Sequence, residues 1–118
     1  MTPSSSARGA LRSVELHILL SVVDRPRHGY AILQEAEERT QGRPGFEIPT
    51  LYRALRRLRD EGLIEAAPAP ESADGERRDY WAATELGRAT LRADLTRMEA
   101  AVAVGRARLG EARAGDSG

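Results

Sequence analysis

The segment Thr50-Leu-Tyr-Arg-Ala-Leu-Arg-Arg-Leu-Arg-Asp-Glu-Gly-Leu-Ile64 decides the fold, because it has to be two things at once. At about 100° per residue, Leu51, Leu55 and Leu58 fall within roughly 60° of one another on a helix. Arg53, Arg56 and Arg57 fall on the opposite side, with Arg59 beside Tyr52 at the boundary. One face can anchor in a core while the other carries guanidinium groups outward. Pro49 suits the first turn, and Gly62 sits where a glycine ends a helix.

Working back from this helix, Gln41-Gly-Arg-Pro-Gly45 reads as a loop. A second helix is predicted from Tyr30 to Thr40, with Ile32, Leu33 and Ala36 inward. A first helix starts at Ser13, a plausible N-cap, and places Val14, Ile18 and Val22 on one face. It stops at Asp24-Arg-Pro-Arg-His-Gly29, because a proline disfavours helix at the residue before it.

Working forward, Leu63-Ile-Glu-Ala-Ala67 is short and apolar enough for a strand. Pro68 to Glu76 carries turn signals, Asp74-Gly75 being the sharpest, and Arg77 to Ala82 reads as the returning strand. Thr84 caps a final long helix with an apolar seam of Leu91, Leu95, Met98, Val102 and Leu109, close to a heptad beat that Gly105 is expected to fray. The fold class is therefore mainly α with a small β-hairpin wing, a winged helix-turn-helix followed by a long C-terminal helix. The domain reading is a flexible N-terminal arm over 1–10, a winged helix-turn-helix over 11–83, a dimerisation helix over 84–109 and a disordered tail over 110–118.

Composition narrows the function. The 118 residues suit one domain, and 41 % hydrophobic content supports a core. With no cysteine there are no disulfides or thiolate metal sites, which fits a reducing cytoplasm. No apolar run has the roughly 18 residues of a membrane span. The net charge is zero, yet residues 49–62 hold four arginines against Asp60 and Glu61, whereas residues 63–83 hold Arg77 and Arg78 against five acids. No lysine occurs among the 18 basic residues. A run of charge usually marks a solvated face. Here the arginines have few acids along the helix to neutralise them, and the helix stands in the position that enters the DNA major groove, where guanidinium forks suit phosphate and guanine. His17 and His28, the only histidines, read as structural residues. No phosphate loop or nucleophile–base arrangement appears, so neither an enzyme nor a cofactor nor a metal is expected.

Five pieces resemble the PadR-type transcriptional regulators: His28-Gly29-Tyr30, Thr50 to Leu55, Leu58 to Ile64, Arg77 to Trp81, and Thr84-Glu85-Leu86-Gly87-Arg88. They come in the family's order over roughly Leu11 to Leu109, with the length of the short branch that has one helix after the wing. The resemblance implies a homodimer that represses from a palindromic operator in double-stranded DNA and is released by a small, often aromatic, effector. It implies DNA contacts from Tyr30, Thr50, Tyr52 and Arg53, which join the periodicity-based Arg56 and Arg57 and the wing's Arg77 and Arg78. Leu91, Leu95, Met98 and Val102 would form the dimer seam. Trp81 either packs the wing onto the domain or offers a stacking surface to an aromatic effector. The acidic wing tip (Glu71, Asp74, Glu76) motivates an alternative: a winged-helix module for protein or small-molecule binding that does not use DNA.

Overall fold

The computed structural model describes residues 8–71 and 78–111. Its elements are α1 (Ser13–Val22), β1 (Arg27–His28), α2 (Gly29–Arg39), α3 (Ile48–Asp60), β2 (Ile64–Ala67), β3 (Tyr80–Ala83) and α4 (Glu85–Arg108). This is the mainly helical winged arrangement expected from the residue pattern, with one addition. The wing is not a lone hairpin but a three-stranded antiparallel sheet in the order β1-β3-β2. Arg27 lies opposite Trp81 and His28 opposite Tyr80, while Ala66 meets Trp81 from the other side. Two residues after Pro26 carry no periodicity, so β1 is set by its partner strand and not by its own composition.

The core lies where α1, α2, α3 and β2 converge. Ile18, Leu19, Ile32, Leu51, Leu55, Leu58, Leu63 and Ile64 are almost wholly removed from solvent. Each such side chain contributes roughly 1.5–3 kcal/mol of transfer free energy. Arg39 ties α1 to α2, donating to the His17 carbonyl at 3.0 Å and to the buried Ser21 hydroxyl at 2.9 Å. The His17 ring accepts from Arg39 Nε at 3.2 Å and leans on Phe46. Burial, then the Arg39 charge, pushes its pKa below the ordinary histidine value. His17 is thus structural, as expected.

The helix ends show how local chemistry fixes the joints. α1 starts one residue earlier than the Ser13 cap predicts: Arg12 is the N-cap residue, and the Glu15 carboxylate reaches back to accept from its N–H at 2.8 Å. At the end of α3, Gly62 takes φ +81°, Leu63 N–H bonds the Leu58 carbonyl and Gly62 N–H bonds that of Arg59, a Schellman closure. Thr84 caps α4 as expected, accepting from Gly87 N–H at 3.0 Å, and its own hydroxyl donates to the Gly62 carbonyl at 2.6 Å. A Cβ at Gly87 would collide with the Leu63 carbonyl oxygen, so α4 rests on the start of the wing at a distance only glycine allows.

Three expectations need correction. Leu91 is 4 % exposed and belongs to the intrachain core, because the first turns of α4 pack on α1 and β3. Gly105 does not fray α4, which runs on to Arg108. Arg8 is not part of a loose arm: its guanidinium bridges Glu15 and Glu61, each at 2.9 Å, with the side chain 13 % exposed. Residues 1–7 of the arm, Asp74, Glu76 and Arg77 of the wing, and residues 112–118 of the tail lie outside the described residues.

Candidate nucleic-acid interface

α3 presents its outer face as the spacing predicts. Leu51, Ala54, Leu55 and Leu58 are buried, whereas Tyr52, Arg53, Arg56 and Arg59 are exposed. Arg53 Nη2 donates to Thr50 Oγ1 at 3.2 Å, which holds that guanidinium over the first turn. Among the described residues, neither Arg53 nor Arg56 forms an ion pair, whereas Arg59 reaches Asp60 at 3.2 Å. Two unneutralised guanidiniums on one helix side make a strongly anion-seeking surface.

Arg57 behaves differently from its neighbours. Its Nε donates to Glu15 Oε2 at 2.9 Å, and that carboxylate, on α1, is 2 % exposed. The pairing corrects the expectation that Arg57 lacks an acid: the helix on its own shows none, but the packing of α1 brings one from 42 residues away. Burial pushes the Glu15 pKa up, yet the Arg12 N–H, Arg57 and Arg8 outweigh it and hold the carboxyl below the ordinary glutamate value. Glu15 is therefore a charged anchor beneath α3, and it holds Arg57 in an ion pair.

The motif His28-Gly29-Tyr30 acquires a physical reason. The His28 ring caps α2, its Nδ1 accepting from Ala31 N–H at 3.1 Å. It meets Tyr80 edge-on at 5.3 Å, and Arg78 Nη1 lies 2.9 Å from its Nε2, which joins the base of the wing to the start of α2. A Cβ on Gly29 would fall 2.6 Å from the Tyr52 hydroxyl oxygen, so glycine lets the Tyr52 ring lie across the helix start. Tyr30 and Tyr52 are 54 % and 48 % exposed on the same side of the molecule as Arg56.

Between α2, α3 and β3 lies a cleft of about 480 Å³. Tyr30, Tyr52 and Trp81 supply its rings, and Arg56, Arg59 and Arg78 its cations. Trp81 packs against the core, as the first of its two readings has it, and also lines the cleft. The structure thus brings together Tyr30, Tyr52, Arg56, Arg78 and Trp81, sets Thr50 and Arg53 further along the same helix, and draws Arg57 toward α1. Arg59 and Gly29 belong to this face although periodicity singled out neither; the placement of Arg59 beside Tyr52 on the helical wheel was the available signal. On α4, Leu95 and Val102 are 39 % and 53 % exposed and Met98 is half-buried, while Leu91 lies apart from them in the core.

Comparison with known proteins agrees with this architecture. Residues 18–93 match the Transcriptional regulator PadR-like family. The chain is 35 % identical over 89 residues to Transcriptional regulator Rv3488 of Mycobacterium tuberculosis, covering 74 % of this chain and 77 % of that protein. It is 37 % identical over 91 residues to Uncharacterized protein X of Lysinibacillus sphaericus, covering 77 % and 80 %. In fold it resembles a PadR family transcription regulator from Clostridium difficile, with a TM-score of 0.72 at 23 % identity over 83 % of this chain and 99 % of that one. Bacillus subtilis PadR, solved in complex with operator DNA, superposes with a TM-score of 0.60 at 21 % identity over 71 % of this chain and 47 % of that one. With its match over most of the winged domain and the first turns of α4, the chain is a member of the PadR-like family of transcriptional regulators.

Proposed function

We propose that the protein binds double-stranded DNA as a homodimer, recognises a palindromic operator and represses transcription until a small-molecule effector releases it. The observation that carries this reading is the outer face of α3, where Arg53 and Arg56 stand exposed without an acidic partner among the described residues. α3 enters the major groove, Arg53 and Arg56 grip phosphate or guanine, and Tyr30, Thr50 and Tyr52 contact the backbone beside them. Arg78, and Arg77 beyond the described residues, serve the flanking phosphates. Arg57 contributes less than its neighbours because Glu15 holds it. The solved operator complex of Bacillus subtilis PadR supports the same use of this fold.

The homodimer rests on α4. Leu95 and Val102 on the helix and Leu109 at its C-cap are exposed apolar side chains on one side, a stripe that a twin helix would cover. Such a dimer would set two copies of α3 about one DNA turn apart, roughly 34 Å.

Fluorescence anisotropy with DNA from upstream of the protein's own gene, repeated over a salt series, tests the assignment. Arg53→Ala and Arg56→Ala are each expected to reduce the slope of log affinity against log salt by about one, and Arg57→Ala by less. An unchanged slope in the first two variants would remove α3 as the DNA-facing element.

A further inference from the structure

Two arginines meet on one buried oxygen. Arg57 Nε from α3 and Arg8 Nη2 from the segment ahead of α1 both bond Glu15 Oε2, each at 2.9 Å. The other oxygen, Oε1, accepts from the Arg12 N–H at 2.8 Å. The Glu15 side chain is 2 % exposed. At that depth a carboxylate left without a cation is strongly destabilising. One guanidinium is enough to prevent this. The second is surplus to the charge, and the like charge of the first weakens its hold.

The two arginines are not equally fixed. Arg8 Nε also bonds Glu61 Oε1 at 2.9 Å, at the C-cap of α3, and the Arg8 side chain is 13 % exposed. Arg57 has Glu15 as its one ion pair among the described residues, and its side chain is 34 % exposed. Arg57 also borders a surface depression on α3 that Arg53 and Arg56 line, together with Asp60 and Glu61. Of the two, Arg57 is therefore the one free to go. If it swings off Glu15, a third guanidinium joins the two that already lack an acidic partner among the described residues. Arg8 stays behind, bonded to both Glu15 and Glu61, and the buried carboxylate is never left alone.

We propose that Arg57 is an exchangeable phosphate ligand, which leaves Glu15 for the DNA backbone on binding, and that Arg8 is the positioning residue that permits the exchange by keeping Glu15 paired. Glu15 then sets how many cations α3 offers. Because it competes with the phosphate, the Arg57 contact is made only part of the time. The transfer to phosphate rests on the DNA reading above; the sharing of Glu15 between two interchangeable cations does not.

Two measurements on the full-length protein test this. The first is the salt series by fluorescence anisotropy, on Glu15→Gln and Arg8→Ala, each alone and combined with Arg57→Ala. Glu15→Gln releases Arg57. Operator affinity should rise, and the slope of log affinity against log salt should steepen by up to about one per released guanidinium. A packing defect would instead weaken binding. Arg8→Ala makes Arg57 the sole guanidinium on Glu15, and should lower the slope to that of Arg57→Ala. Both slope changes should vanish once Arg57→Ala is present. A Glu15→Gln slope that is unchanged or lower, or slope changes that persist without Arg57, would overturn the proposal. The second measurement is urea unfolding without DNA. Arg8→Ala and Arg57→Ala should each lower the midpoint modestly, and the double variant by more than the sum of the two, since only then is Glu15 stripped of both cations. Additive midpoints would overturn the shared pairing and with it the exchange. More-than-additive midpoints in a protein that retains no operator DNA would refute the DNA reading and the transfer to phosphate, and leave the shared pairing of Glu15 standing.

Discussion

α3 and α4 each carry a stripe of large apolar side chains, yet they dispose of those stripes in opposite ways. α3 buries Leu51, Ala54, Leu55 and Leu58 within its own chain, leaving only the cationic side outward. α4 buries Gly87, Leu91 and Asp94 in its first three turns, and from Leu95 onward its apolar residues face outward, with Met98 half-covered. The difference separates two jobs that a helical wheel draws alike: a leucine stripe can complete a domain, or it can be left over once the domain is complete.

The largest expected effect sets these stripes against each other. Leu58→Ala should destabilise the domain by about 2–5 kcal/mol, measured by urea unfolding. Leu95→Glu should leave the unfolding free energy of the dilute protein within about 0.5 kcal/mol but convert dimer to monomer in sedimentation. If Leu95→Glu unfolds the chain as Leu58→Ala does, or stays dimeric, α4 is not a leftover stripe and the contrast collapses.

A smaller effect probes how α3 is seated. Glu15→Gln removes the buried anion that Arg8, Arg57 and the Arg12 N–H address together, and should cost about 1–3 kcal/mol at pH 7. Its pH dependence carries a sign. The folded carboxyl has a lowered pKa, so its stabilisation is complete above the ordinary glutamate value and disappears as pH falls through the folded value. The gap between wild type and Glu15→Gln should therefore narrow in acid. A gap that stays constant to pH 3 would show that the charge of Glu15 is not what secures the helix.

The smallest effect concerns the base of α4. Thr84→Ala deletes the cap of α4 and a bond to the Gly62 carbonyl, for a loss of about 1 kcal/mol in the same unfolding assay. Thr84→Ser, which keeps the hydroxyl, should recover most of it.

These same features mark how far the residue pattern could be read. Helices α1 to α3, the wing and the Thr84 cap are all legible, because leucine spacing, proline, glycine and hydroxyl signals act within a few residues. β1 is not, since two residues after a proline become a strand only through Trp81 and Tyr80 across from them. The exposed Tyr52 and arginines of α3 follow from the helical wheel, but the capture of Arg57 by Glu15 does not, because the two meet only when α1 packs beside α3. Leu91 sits on the same wheel position as the seam it was expected to join; only the packing of α1 and β3 against the base of α4 shows where the core ends. Gly29 and Gly87 are visible as letters, whereas the reason for each is a side chain or carbonyl from another element.

Leu63 merits a mechanical reading. Its N–H is held by the last turn of α3 and its carbonyl receives Thr84 N–H, with Gly87 pressed against that same oxygen. Beside the packing of α4 on α1 and β3, this residue thus works as one pin between α3 and a lever of 24 residues, about 36 Å long at the α-helical rise. A tilt of roughly ten degrees at that pin sweeps the lever's free end through about 6 Å, so a displacement of ångströms out there comes back to α3 as a few degrees of aim.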